Sequence, residues 1–175
     1  MFKYLSAPVL LTALSLMSNE ASAHPYQQMM NKNNVGLGLG AGLQVPTADN
    51  PFKPSEAWGF YTDIPLLETF HVSPSTLVYR LTPKDGGPSK SATDISMNFK
   101  FIVPIEKFDI MAGVTAGLTS TDELKPHVGV IGGTSFNLVS NLDLFIHANY
   151  RYILNAENEV HDFQLVMGPQ FKFSR

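Results

Sequence analysis

His71 and Ser73 stand one residue apart, with Val72 between them. On a strand that spacing puts an imidazole and a hydroxyl on the same face, and a base beside a hydroxyl is the beginning of a nucleophilic hydrolysis site when a carboxylate supports it. His147-Ala148-Asn149 repeats the spacing without the serine. The larger set of reactive groups is a series of charges on alternate positions of strand-like segments: Asp63, Arg80, Asp94, Lys100, Asp109, Asp143, His147, Arg151, Asp162 and Lys172. Charges sharing one strand face and facing one another across a sheet either pair into a network or line a hydrated path. No clustered ligand set for a metal and no cofactor motif accompanies them; His24 with its neighbours offers no second ligand group.

The elements that carry these groups are read from periodicity. His161 to Phe173 alternates almost residue by residue, with Phe163, Leu165, Met167, Pro169, Phe171 and Phe173 on one face. Asp162, Gln164, Gly168, Gln170 and Lys172 take the other, and Val166 is the one apolar intruder. A period of two separates these sets onto opposite faces of one strand. Seven more segments follow the rule: Val35 to Val45, Ala57 to Ile64, Phe70 to Leu81, Asp94 to Val103, Phe108 to Leu118, His127 to Leu138 and Leu142 to Leu154. Each is close to the length of about 9–11 residues that a tilted strand needs to cross a bilayer.

The third segment changes phase if its apolar residues all face one way. Phe70 and Val72 set one phase, while Leu77, Tyr79 and Leu81 require the other. A bulge near Ser73-Pro74-Ser75 is therefore expected, and it would turn Arg80 inward.

The connections alternate in kind. Those after the second, fourth and sixth segments are tight: Pro65 to Thr69, Pro104 to Lys107 and Val139 to Asn141. Those after the first, third, fifth and seventh are longer and richer in Pro, Gly, Asp and Lys. Short turns at one end and longer loops at the other suit a barrel whose ends lie in the periplasm and outside the cell.

The N-terminus reads as an export signal. Lys3 opens Met1 to Ala23, an apolar run follows from Leu5 to Met17, and Ala21-Ser22-Ala23 forms an A-x-A cleavage pattern. Cleavage would leave a polar periplasmic segment, 24–34, and a barrel domain, 35–173. Because Lys3 and Glu20 cancel, the net charge of −3 is unchanged by cleavage. Cysteine is absent, so no disulfide framework or thiolate metal site is available. Hydrophobic residues make up 44% of the chain, yet nothing after residue 23 offers a continuous apolar run long enough for a transmembrane helix. The slightly acidic balance leaves no footprint for nucleic acid.

An A-x-A signal, eight alternating segments, alternating short and long connections and a last strand ending Phe171-Lys172-Phe173 resemble the small eight-stranded outer-membrane barrels of the OmpA, OmpX and opacity-protein type. The resemblance covers the whole chain expected after cleavage and is one of architecture; here Ser174 and Arg175 follow the terminal aromatic. It implies an all-β, antiparallel, up-and-down transmembrane β-barrel in the bacterial outer membrane. The implied partners are outer-membrane lipid, lipopolysaccharide and the barrel-insertion machinery, and the protein is expected to be a monomer. Some small barrels act on lipid A through a His-x-Ser pair, which His71 and Ser73 match in spacing but not in position, since they fall near a periplasmic turn.

A soluble periplasmic barrel shows the same period with apolar residues inside. Aromatics near strand ends, an almost all-glycine inward set in the first segment and the charge of the other inward sets favour the membrane alternative. Eight strands leave a lumen just wide enough for side chains to fill, and charges buried there must pair. Asp143 is expected opposite Lys172, Arg151 diagonal to Asp162, and Lys100 diagonal to Asp109. The expected function is structural or surface-interaction work without catalysis or cofactor, with adhesion through loops bearing Lys53, Lys84 and Lys90. A narrow channel for ions or small solutes is the alternative.

Overall fold

The computed structural model describes residues 34–47, 51–105, 108–154 and 160–173. The expected signal peptide, its cleavage site, residues 24–33 and the two residues after Phe173 lie outside the described residues.

The described residues form nine strands: β1 (Val35–Pro46), β2 (Phe52–Lys53), β3 (Ser55–Pro65), β4 (Phe70–Pro83), β5 (Lys90–Ile105), β6 (Phe108–Ser120), β7 (Leu124–Val139), β8 (Leu142–Ile153) and β9 (Val160–Phe173). Leaving out β2, the antiparallel order is β4-β3-β1-β9-β8-β7-β6-β5, and β5 returns to β4. Eight strands thus close a barrel in which each has two neighbours, so no edge is left for another chain to extend. The two-residue β2 adds only a rim ribbon on the end of β4, through Phe52 opposite Pro83 and Lys53 opposite Thr82.

Alternation decides which side chain goes where. Leu37, Leu39, Leu43, Trp58, Phe60, Ile95, Phe101, Val130, Met167 and Phe173 are exposed on the outer wall. Gln44, Asp94, Asn98, Lys100, His147, Arg151 and Asp162 are buried inside. Such an inversion would be ruinous in water, where a continuous apolar surface seeks cover. In hydrocarbon it satisfies both faces and leaves every strand's backbone paired around the ring.

The interior is not wholly polar. Ala57, Tyr61, Leu77, Tyr79, Ala92, Phe145 and Val166 pack together inside the barrel. The glycines of β1 make room for them: a Cβ on Gly40 would fall 2.5 Å from Val166 Cγ1 and 2.8 Å from Tyr61 Cε2. Across the seam where the first and last strands meet, a Cβ on Gly168 would lie 1.7 Å from the Leu39 carbonyl oxygen. Gly168→Ala must push β1 and β9 apart at that seam. The expected loss is about 1–3 kcal/mol of barrel stability, read as an earlier unfolding midpoint in urea; an unchanged midpoint would contradict the close approach.

Strand β4 differs from the sequence expectation. Its register against β5 runs from Phe70 opposite Phe101 to Leu81 opposite Lys90 without a slip, and its register against β3 keeps one offset on both sides of a break at Thr62-Asp63, opposite Ser73-Pro74. No bulge forms at Ser73-Pro74-Ser75. His71, Ser73, Leu77 and Tyr79 are therefore all buried on the lumen side, while Arg80 is exposed on the outer wall near the long-loop end. Arg80 leaves the set of lumen charges because Leu77 and Tyr79, expected outside for their apolarity, are the groups that the interior packs.

Strands also run further than the bilayer requires. β5 and β7 are 16 residues each, and their added length lies mostly at the long-loop end, where the β6–β7 connection shrinks to residues 121–123. There Lys90, at the start of β5, forms an ion pair with Asp122 in that connection, tying two loops together.

Candidate functional site

Two layers of paired charge lie in the lumen, one toward each end. The layer toward the long loops is built around Arg151 on β8, whose side chain has no exposed surface. Its Nε donates to Asp162 Oδ1 at 2.9 Å and its Nη2 to Asp162 Oδ2 at 2.5 Å, a bidentate fork between directly opposite residues of β8 and β9. Nη1 reaches across the lumen to Asp94 Oδ2 on β5. Tyr79 on β4 lies beneath the guanidinium, 5.9 Å from ring centre to Cζ, and its hydroxyl donates to Asp94 Oδ1 at 3.2 Å.

Amides finish this layer. Gln164 Nε2 donates to Asp94 Oδ2 at 3.0 Å, and Gln44 Nε2 on β1 donates to Asp162 Oδ2 at 3.0 Å. Beside them His127 on β7 is held at both ring nitrogens, 2.9 Å from Ser96 Oγ and 3.0 Å from Thr119 Oγ1. With Ser55 of β3 donating to Gln44 Oε1 at 3.4 Å, all eight barrel strands contribute a polar side chain. One guanidinium between two carboxylates, each carboxylate holding further donors, is the arrangement in which a buried charge is tolerable.

The layer toward the tight turns holds two smaller groups. Lys100 Nζ lies 2.7 Å from Asp63 Oδ1, and His71 Nδ1 donates to Asp63 Oδ2 at 2.8 Å. These three residues sit side by side on β3, β4 and β5, since Pro65 faces His71 and His71 faces Lys100. Lys172 Nζ lies 2.5 Å from Asp143 Oδ2. Asp109 accepts from Ser135 Oγ at 3.5 Å.

The expected pairs are met in part. Asp143 pairs with Lys172, and Arg151 with Asp162, but the β8–β9 register is two residues from the expected one: Arg151 is directly opposite Asp162, while Asp143 faces Gln170 and reaches Lys172 diagonally. Lys100 takes Asp63, not Asp109, because Lys100 faces Gly113 and Asp109 faces Pro104 on β5. His147 is inside as expected yet joins neither layer; it packs between Phe145, with ring centres 4.6 Å apart, and Tyr61 at 5.5 Å.

The His71 and Ser73 side chains do not pair with each other. Ser73 donates to the Thr62 carbonyl oxygen, not to His71, and both side chains are buried in the lumen where outer-wall lipid does not reach. Among the described residues no group of three His, Asp or Glu side chains could hold a metal ion. Tyr79 and His127 were missed by sequence reasoning, and His71, singled out beside Ser73, was not matched to Asp63. His127 was legible from its alternation with Val128 and Val130, whereas Tyr79 was hidden by the supposed bulge.

The closed ring, the apolar wall and the packed polar lumen define the fold of the small eight-stranded outer-membrane β-barrels. No protein-family model and no curated protein sequence matches the chain. Among solved structures it is similar to the Neisserial surface protein A, NspA, with a TM-score of 0.67 at 15% identity over 81% of this chain and 97% of that one. The outer membrane protein OprG of Pseudomonas aeruginosa gives 0.61 at 9% identity, over 82% and 97%. OprH of the same organism gives 0.57 at 14% identity, over 80% and 99%.

Proposed function

We propose that this protein is an integral protein of the bacterial outer membrane whose role is structural or surface-interacting, with the lumen plugged by paired charges. The observation that carries this reading is the Arg151 layer, in which a guanidinium with no exposed surface is bonded to carboxylates on two other strands. A wide diffusion pore would leave such a group hydrated. Lipid and lipopolysaccharide surround the apolar wall, the barrel-insertion machinery takes the terminal strand, and the chain works as a monomer. The long-loop end, with its rim ribbon and the Lys90–Asp122 tie, is the surface offered to partners.

Membrane fractionation with a heat-modifiability gel tests the location: the folded protein is expected in the outer-membrane fraction, migrating differently before and after boiling. Planar-bilayer recording tests the plug, and wild-type protein is expected to give no steady ohmic steps. Steps in the wild type that change size in Lys100→Ala would instead favour the second reading, a narrow channel, which the unpartnered polar atoms of Asn98, His147 and Asn149 inside the lumen support. Deleting Asp85 to Pro88 without any change in cell binding would count against adhesion.

A further inference from the structure

Between the two charged layers the lumen widens into a small cavity of about 10 Å³, lined by Tyr61, Asn98, Asn149, Gln164 and His147 among others. His147 is only 5% exposed, and neither of its ring nitrogens has a protein partner. Asn98 Oδ1 and Asn149 Oδ1 are buried in the same state, although the Asn98 amide donates to the Ser73 carbonyl at 2.7 Å. A neutral imidazole brings one donor and one acceptor, and each amide oxygen brings acceptors only. What they lack is a small molecule that both donates and accepts. The space is about that of a single water.

We propose that this cavity is a binding site for internal water, held by His147, Asn98 and Asn149 and sealed between the two ion-pair layers. The inference rests on the closed lumen argued above. Asp94 and Gln164 line the cavity and also belong to the Arg151 layer, so the bound water joins that layer to the imidazole below. A methyl or other apolar guest is excluded, since it would leave three buried acceptors without donors. An ordered water there can donate to two of these acceptors and accept from the imidazole N–H.

The test uses the full chain refolded in micelles with 15N-labelled histidine. The His147 ring N–H, assigned by its disappearance in His147→Phe, is expected to resist exchange with solvent and to show cross-relaxation to water. Deuteron relaxation dispersion of the same sample should report long-lived water that is lost in Asn149→Leu. Cross-relaxation to an Asn98 or Asn149 side chain alone would overturn the site, because the imidazole would then be satisfied by protein. Rapid exchange of that N–H would overturn the seal. Exchange and cross-relaxation are read on the wild-type protein, with through-bond assignment of the ring signal if His147→Phe fails to fold; steady conductance in planar bilayers separates a leaking lumen from an unsealed cavity.

Discussion

Arg151→Met is expected to cost the barrel about 3–5 kcal/mol of stability, the range found when one partner is removed from a buried ion pair. Methionine keeps much of the stem and the packing against Tyr79, so the loss isolates the charge. What remains is worse than a missing bond: Asp94 and Asp162 stay buried, held only by the neutral donors Gln164, Gln44 and the Tyr79 hydroxyl among the described residues. Urea unfolding in lipid vesicles, followed by the gel shift of the folded band, reads the change. Adding Asp94→Asn and Asp162→Asn to Arg151→Met should return most of the loss, because neutral groups no longer require a counter-ion. A single substitution that costs less than about 1 kcal/mol, the worth of an exposed ion pair, would show that water already reaches the guanidinium.

The barrel was legible in the sequence because a period of two is visible wherever one face meets lipid and the other a polar lumen. In β1, β5 and β9 the two sets separate cleanly, and every expected lumen charge except Arg80 lies inside. The partners were harder. Sliding β9 along β8 by two residues keeps each side chain on its own face, so the hydrophobic pattern is blind to the difference. Lys100 illustrates the same limit: alternation put it in the lumen, but only the closure of β5 onto β4 brings it near Asp63, 37 positions earlier in the chain.

Strand β4 failed for a different reason. Its sequence reads as two phases because Leu77 and Tyr79 are apolar, and apolarity was equated with the outer wall. A small lumen needs volume as well as charge, and the glycines of β1 leave a hollow that Phe145, Tyr61 and Val166 occupy. The aromatic and aliphatic side chains on the inside are thus the complement of missing side chains on another strand. That relation is invisible until the strands are placed next to each other.

The membrane assignment makes its own demand on the outer wall, and Val114→Arg meets it directly. Val114 is 55% exposed near the middle of β6, between Phe99 and Val130 on the neighbouring strands. A cationic side chain at the midplane of a barrel's lipid face costs about 2–4 kcal/mol, and the cost falls to about 0–1 near the interfaces. Leu124→Arg, at the first position of β7 beside the long-loop end, supplies the interfacial comparison. In vesicles the midplane substitution is therefore expected to be the costlier by at least about 1 kcal/mol. Water on the outer wall reverses that order of argument: replacing an exposed valine by arginine would then relieve an apolar surface at both positions, and depth along the strand would carry no energy. Equal effects at residues 114 and 124 would mean that the apolar belt meets something other than hydrocarbon, and the ion-pair layers would lose their reason for being inside.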